Sequence, residues 1–299
     1  MRSLLKAIRF LYGVSAPREQ AATATGLPTG NAAWLHWIVP LGLAAGVLLA
    51  VIVGLSWGRL TYQPGGELWM AVVPAMLIYW LGPGAARYMG WGRTWASVRL
   101  GARMNDLTHD AYPGVQCLGL MVLAIVAAAV TQFVAIAALP TRNPTAPPGM
   151  SRDWLPFYYL LFPIQNYGAM VLMGLWGNAA VLLAACLGRP AGHADAMVRQ
   201  LLAARTWKKM AWAIPGPAAV SMLFLVGWER KWGEPWATAI VPSAFQALAI
   251  AVILFGVTML FAWLLARRLQ GHCRATLLAA GLIGEITFLL LFHTLPRQG

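Results

Sequence analysis

Seven stretches of this chain run for 19 residues or more with at most one charged side chain. They occupy residues 20–58, 68–86, 111–141, 154–188, 210–228, 235–266 and 275–295, and Glu285 in the last is their only charge. A helix needs about 20 apolar residues to cross the ~30 Å hydrocarbon core of a bilayer. Charged residues make up 10% of the chain, against about 25% in soluble domains. The sequence therefore predicts a polytopic membrane protein.

The expected fold is an all-α membrane helix bundle with about seven transmembrane helices. The helices are predicted near residues 33–57, 67–86, 114–139, 164–187, 210–228, 238–266 and 275–295. Helical spacing of charged and apolar residues also predicts short amphipathic surface helices at 1–12, near 95–110 and at 195–209. We expect two parts, an N-terminal cytoplasmic amphipathic segment at 1–32 and a single transmembrane domain at 33–299.

The basic residues indicate an orientation. With a cytoplasmic N-terminus, 16 of the 22 Lys and Arg residues fall on inner segments, as the positive-inside rule requires. One inner loop is assigned Arg87, Arg93, Arg99 and Arg103. This predicts a multi-pass protein of the plasma (inner) membrane with an extracytoplasmic C-terminus. Topology and attraction to anionic lipid headgroups account for the net charge of +13, so no nucleic-acid partner is expected.

Glu285 is the most informative single residue. It lies near the middle of the last predicted helix, where an ionised carboxylate costs about 2.5–3.5 kcal/mol on insertion scales. It must be protonated, paired or facing water. Polar residues predicted at similar depth are Gln132, Ser221, Gln246 and Thr258. A structural hydrogen bond, an ion pair with another subunit and a proton-coupling role all remain open.

Two other segments carry candidate polar sites. The segment FPIQNYGAM at 162–170 contains Gln165 and Asn166 and is a candidate broken helix, although an outer-interface position fits the available length better. Asp106, His109 and Asp110 lie within one turn and carry metal-binding groups, but neighbouring arginines favour a salt-bridged surface helix. No zinc, haem or enzyme motif is present, so no cofactor or metal is expected.

Three functions remain. The first is an accessory or scaffold subunit of a larger membrane assembly, with other membrane subunits as partners. The second is a transporter or permease that uses Glu285. For that function we expect more carboxylates, a Lys or Arg within the spans, or helices broken by Gly and Pro. The third is a lipid-phosphate enzyme at the cytoplasmic face, acting through Asp106, His109 and Asp110. The lack of a motif argues against an enzyme.

Overall fold

The structure, a computed structural model, describes residues 2–13, 34–60, 68–100, 115–138, 165–192, 194–229 and 236–294. Regular structure in these residues is helical, apart from an isolated β-bridge between Pro190 and His272. The α-helices are α1 (Arg2–Tyr12), α2 (Ile38–Leu60), α3 (Leu68–Leu81), α4 (Ala85–Leu100), α5 (Val115–Ala137), α6 (Gln165–Ala184), α7 (Ala196–Ala203), α8 (Thr206–Ala213), α9 (Pro215–Glu229), α10 (Trp236–Arg268) and α11 (Arg274–Thr294). A 3₁₀ turn, Leu35–Trp37, precedes α2.

Five helical segments are long and apolar enough to cross a membrane, which indicates a multi-pass membrane protein. They are Leu35–Ile52, Cys117–Ala137, Thr206–Val226, Ala239–Arg268 and Arg274–Thr294. Two of the seven predicted spans, near 67–86 and 164–187, correspond to shorter apolar helices at Val72–Leu81 and Gly168–Ala184. By length and composition, five of the seven expected spans are therefore found in the described residues.

Helix α6 forms the centre of the bundle. Residues 168–185 are buried without interruption, and α2, α10 and α11 pack around the helix. Glycines allow the closest of these contacts: a Cβ on Gly46 of α2 would lie 2.5 Å from the carbonyl oxygen of Val171. Gly42 and Gly46 form a GxxxG pair that faces Gly174 of α6. The uncharged run at 154–188 thus contains an unbroken helix from Gln165 to Ala184.

The span predicted near 67–86 is broken. Helix α3 ends at Leu81, and α4 begins at Ala85 after the Gly82, Pro83 and Gly84 turn. The 14 residues of α3 extend only about 21 Å, less than the hydrocarbon core. The two helices have few contacts along their lengths, so they are joined end to end rather than folded into a hairpin.

Helix α4 continues from this break through the bundle. Arg87 lies beside Glu285 and Gly281 of α11, whereas a Cβ on Gly90 would lie 2.8 Å from the carbonyl oxygen of Ala275. Helix α4 is therefore antiparallel to α11, and the break lies level with the middle of α11. The prediction that Arg87 lies in an inner loop is wrong, because its side chain is buried. Arg93 and Arg99 are exposed.

The predicted surface helices also differ from the structure. Helix α1 buries Ala7, Phe10 and Leu11 against the bundle and leaves Leu5 and Ile8 exposed. Residues 95–100 of the helix predicted near 95–110 form the C-terminal end of α4, where Ala96 and Ser97 are buried and Arg99 and Leu100 are exposed. Residues 101–110 lie outside the described part of the chain. The segment 195–209 forms α7 and the start of α8, which are separated by a turn at residues 204–205.

Candidate functional site

An ion pair joins Arg87 of α4 to Glu285 of α11 inside the bundle. The guanidinium Nη1 contacts the Oε1 atom of the carboxylate. The two side chains are 2% and 0% exposed. Arg87 is in the first turn of α4, where the helix dipole disfavours a cation and favours an anion. The carboxylate therefore compensates both the guanidinium and the positive end of α4.

Two further side chains satisfy the carboxylate. The Tyr79 hydroxyl donates to Oε1 of Glu285 at 2.5 Å and accepts from Arg87 Nη1 at 3.0 Å. The Gln132 amide Nε2 donates to Oε2 of Glu285 at 3.1 Å. Tyr79 is two residues before the end of α3, and Gln132 lies on α5. Four helices thus meet at this carboxylate.

The polar cluster continues on both sides of the pair. On one side, Arg87 Nη2 donates to the Asn178 Oδ1 atom, and Asn178 Nδ2 donates to the Ile38 carbonyl at 2.6 Å. On the other side, Tyr88 donates to the Gln132 Oε1 atom and accepts from Trp80 Nε1. We call Tyr79, Tyr88, Arg87, Gln132, Asn178 and Glu285 the polar cluster.

Glycines make room for this cluster. A Cβ on Gly177 of α6 would lie 2.7 Å from Glu285 Oε1 and 2.8 Å from Arg87 Nη1. A Cβ on Gly281 of α11 would lie 3.1 Å from the carbonyl oxygen of Gly177. The α6 and α11 backbones are therefore close enough that only glycine fits at position 177 without a shift of the ion pair.

One donor in the cluster has no partner. Arg87 Nε is buried and makes no hydrogen bond, although both terminal nitrogens do.

Removing one partner of a buried ion pair costs about 3–5 kcal/mol, because the remaining charge stays desolvated. Ionisable residues within a membrane bundle mark functional sites by default. The cluster is thus the candidate site of this chain.

The polar residues predicted near Glu285 have different positions. Gln132 contacts it, whereas Ser221 accepts from Trp176 Nε1 at 2.9 Å. Thr258 Oγ1 is buried without a hydrogen-bond partner. Gln246 is half-buried on α10.

Gln165 and Asn166 are the first two residues of α6, and their side chains lie outside the described part of the structure. Asp106, His109 and Asp110 also lie outside it, so the proposed metal or lipid-phosphate site stays a prediction. Within the described residues, no group of three or more His, Cys, Asp or Glu side chains is placed to hold a metal ion.

Sequence reasoning missed four members of the cluster: Tyr79, Arg87, Tyr88 and Asn178. The signal for the first three was the GPG turn at 82–84, because adjacent Gly and Pro residues interrupt a helix. The glycines at 174 and 177 on α6 and at 281 and 284 on α11 indicated close helix packing around Asn178 and Glu285.

Fold and site together define a membrane protein whose described part is a bundle of helices with a buried Arg–Glu pair beside a broken helix. No family model matches the sequence, and comparisons with curated proteins and with solved structures found no match.

Proposed function

We propose that this chain is a proton-coupled transporter or permease and that Arg87 and Glu285 form its coupling pair. The observation that carries the proposal is the break between α3 and α4 at the height of this ion pair. Discontinuous helices beside intramembrane charges are typical of substrate and ion sites in transporters. Two features expected of a transporter support the proposal: a basic residue within the bundle, Arg87, and a helix break at Gly and Pro. Neither was recognised from the sequence alone.

The chemistry of the pair supports a switch between two arrangements. A proton that binds the Glu285 carboxylate removes its negative charge and therefore its attraction for Arg87. The guanidinium keeps Tyr79 and Asn178 as acceptors but loses its counter-ion. Because α4 starts at the GPG turn, a change in the turn's dihedral angles moves Arg87 without unwinding either helix. Proton binding would thus shift the relative populations of the two arrangements.

The orientation also belongs to this proposal. Removing the buried Arg87 from the inner segments leaves 15 of 22 basic residues there, so the predicted asymmetry persists. Exposed basic residues lie at the α1 end of the bundle, and they include Arg93, Arg99, Arg267 and Arg268. We assign this end to the cytoplasmic face of the plasma (inner) membrane, where anionic headgroups would bind.

Transport can be tested in proteoliposomes with a pH-sensitive dye inside. A pH gradient is imposed, and a panel of small organic anions, cations and neutral solutes is added one at a time. We expect proton movement that depends on at least one solute in the wild type and is absent in Glu285→Gln and Arg87→Gln. Arg267→Gln, which changes an exposed arginine, is the matched control. A wild-type response identical to that of Glu285→Gln across the panel would contradict the proposal.

A second candidate is the accessory or scaffold subunit, which one observation favours. Glu285 is completely buried and bonded within its own chain, as a pair that fixes the helices would be. In that case the chain would co-purify with other membrane subunits from mild detergent. Neutral replacement of both charges, Arg87→Met with Glu285→Leu, would leave that complex intact.

A further inference from the structure

Helix α1 covers one end of the bundle, next to the polar cluster. The side chains of Ala7, Phe10 and Leu11 are at most 1% exposed and pack against α2, α4 and the 3₁₀ turn. The Phe10 ring lies 5.2 Å from the Trp34 ring. The helix therefore forms part of the folded bundle, although residues 14–33, which link it to the 3₁₀ turn, lie outside the described part of the chain.

Arg274 holds the C-terminal end of α1. Its Nε donates to the Phe10 carbonyl at 2.7 Å and its Nη2 to the Arg9 carbonyl at 3.0 Å, and it also contacts the Gly13 carbonyl. The last carbonyls of a helix have no partner within the helix, so an arginine from another element can bind them. Arg274 is the first residue of α11, which carries Glu285. One side chain thus links α1 to the helix of the ion pair.

A line of polar groups connects α1 with the pair. The Tyr12 hydroxyl donates to the Leu41 carbonyl at 3.0 Å, one turn of α2 from the Ile38 carbonyl that Asn178 binds. Asn178 in turn accepts from Arg87. Burial raises the pKa of Tyr12, and the Arg87 charge and the Asn178 amide oppose that rise. Tyr12 is half-buried, so this line reaches the surface at α1.

We infer that α1 is a gate that closes the route from this end of the bundle to the Arg87–Glu285 pair, and that Arg274 holds the gate shut. Opening would require the loss of the three Arg274 contacts and the withdrawal of Tyr12 from α2. Asn178 would then be the first member of the polar cluster to meet water. The inference rests on the proposed transport function, because a structural ion pair needs no route to water.

The gate can be tested by the reactivity of a cysteine at position 178. Asn178→Cys is introduced into the full chain after the native cysteines are replaced (Cys117→Ala, Cys186→Ser, Cys273→Ala). A water-soluble methanethiosulfonate reagent is then added to the protein in lipid nanodiscs. We expect Arg274→Gln to accelerate modification about 30-fold, which equals about 2 kcal/mol at 1.4 kcal/mol per factor of ten. The matched control Arg267→Gln, an exposed arginine near the same end, should leave the rate unchanged.

Equal modification rates in Arg274→Gln and Arg267→Gln would overturn the gate. A second measurement, amide hydrogen exchange, uses the chain with Asn178 and all native cysteines in place. Arg274→Gln should accelerate exchange both in α1 and in the first turn of α4, and acceleration confined to α1 would also overturn it. Neither experiment measures transport. The gate can therefore fail while solute-dependent proton movement persists, and proton movement can be absent while both gate measurements give the expected result.

Discussion

Gly177→Ala should destabilise the bundle more than the same change at any open glycine. The added methyl carbon would lie 2.5 Å from Glu285 Cγ and 2.8 Å from Arg87 Nη1. Cβ atoms essentially never come this close to another heavy atom, so the ion pair or the α6–α11 spacing must shift. Gly119 of α5 has no heavy atom within 4 Å of its added Cβ, so it provides the matched control.

The size of the effect follows from two opposing terms. Overpacking a well-packed interior costs about 1–3 kcal/mol. Replacing a helical glycine by alanine gains about 0.5–1 kcal/mol where nothing obstructs the methyl group. Gly119→Ala should therefore be neutral or stabilising. Gly177→Ala should be less stable than the control variant by about 1–3 kcal/mol, because both changes carry the same backbone gain.

The assay is reversible unfolding in mixed detergent micelles, followed by far-ultraviolet circular dichroism, for the wild type and both variants. The difference between the two variants removes effects common to any Gly→Ala change in a helix. If Gly177→Ala is as stable as Gly119→Ala, then α6 and α11 do not approach each other at the ion pair, and the site described above is wrong.

Three further changes can be measured in the same unfolding assay. Glu285→Gln should lower the free energy of unfolding by about 3–5 kcal/mol because it leaves the Arg87 charge buried without its partner. The double variant Arg87→Met with Glu285→Leu should recover most of this loss. A loss in the double variant equal to the sum of the losses in the two single variants would refute the pairing. Burial lowers the pKa of His272 from 6.5 to about 4, so the unfolded chain binds a proton first as the pH falls. The free energy of unfolding should therefore drop by about 3 kcal/mol between pH 6.5 and 4 and level off below pH 4. His272→Gln should flatten this pH dependence. If the dependence persists in His272→Gln, His272 is not its source. The buried Lys209 Nζ donates to the main-chain carbonyls of Ala185 and Leu202. Lys209→Met should lower the free energy of unfolding by about 1–3 kcal/mol because both carbonyls lose this donor, whereas exposed Lys208→Met should lower it little. Equal losses in the two variants would contradict a stabilising role of these two hydrogen bonds.

Hydropathy alone located most of the helices. Helix α5 was predicted at 114–139 and is Val115–Ala137, and α11 was predicted at 275–295 and is Arg274–Thr294. Long uncharged runs predict the positions of helices reliably here, because a segment that crosses a bilayer must be apolar and helical. The same reasoning required Glu285 to be protonated, paired or facing water and named Gln132 among the candidate partners at its depth. The structure places the side chains of Glu285 and Gln132 in contact.

The ion pair itself could not be predicted from local sequence. Counting positive charges places every arginine at the end of an apolar run in a loop, and Arg87 directly follows such a run. Its burial depends on α4 continuing beyond the GPG turn and on Gly177 leaving space opposite. Both conditions depend on tertiary packing. The turn would end α3 in the same way whether the residues after it entered water or the bundle. The 3.6-residue period of α4 likewise does not reveal that Arg87 and Glu285 meet.

The most direct test of the transport proposal is proton movement by a chain whose ion pair is replaced by apolar side chains. Arg87→Met with Glu285→Leu removes both charges and should fold with nearly the stability of the wild type. In the proteoliposome assay with the pH-sensitive dye, we predict that solute-dependent proton movement is abolished in this variant. Wild-type proton movement by the double variant would contradict the proposal and would show that the Arg87–Glu285 pair is purely structural.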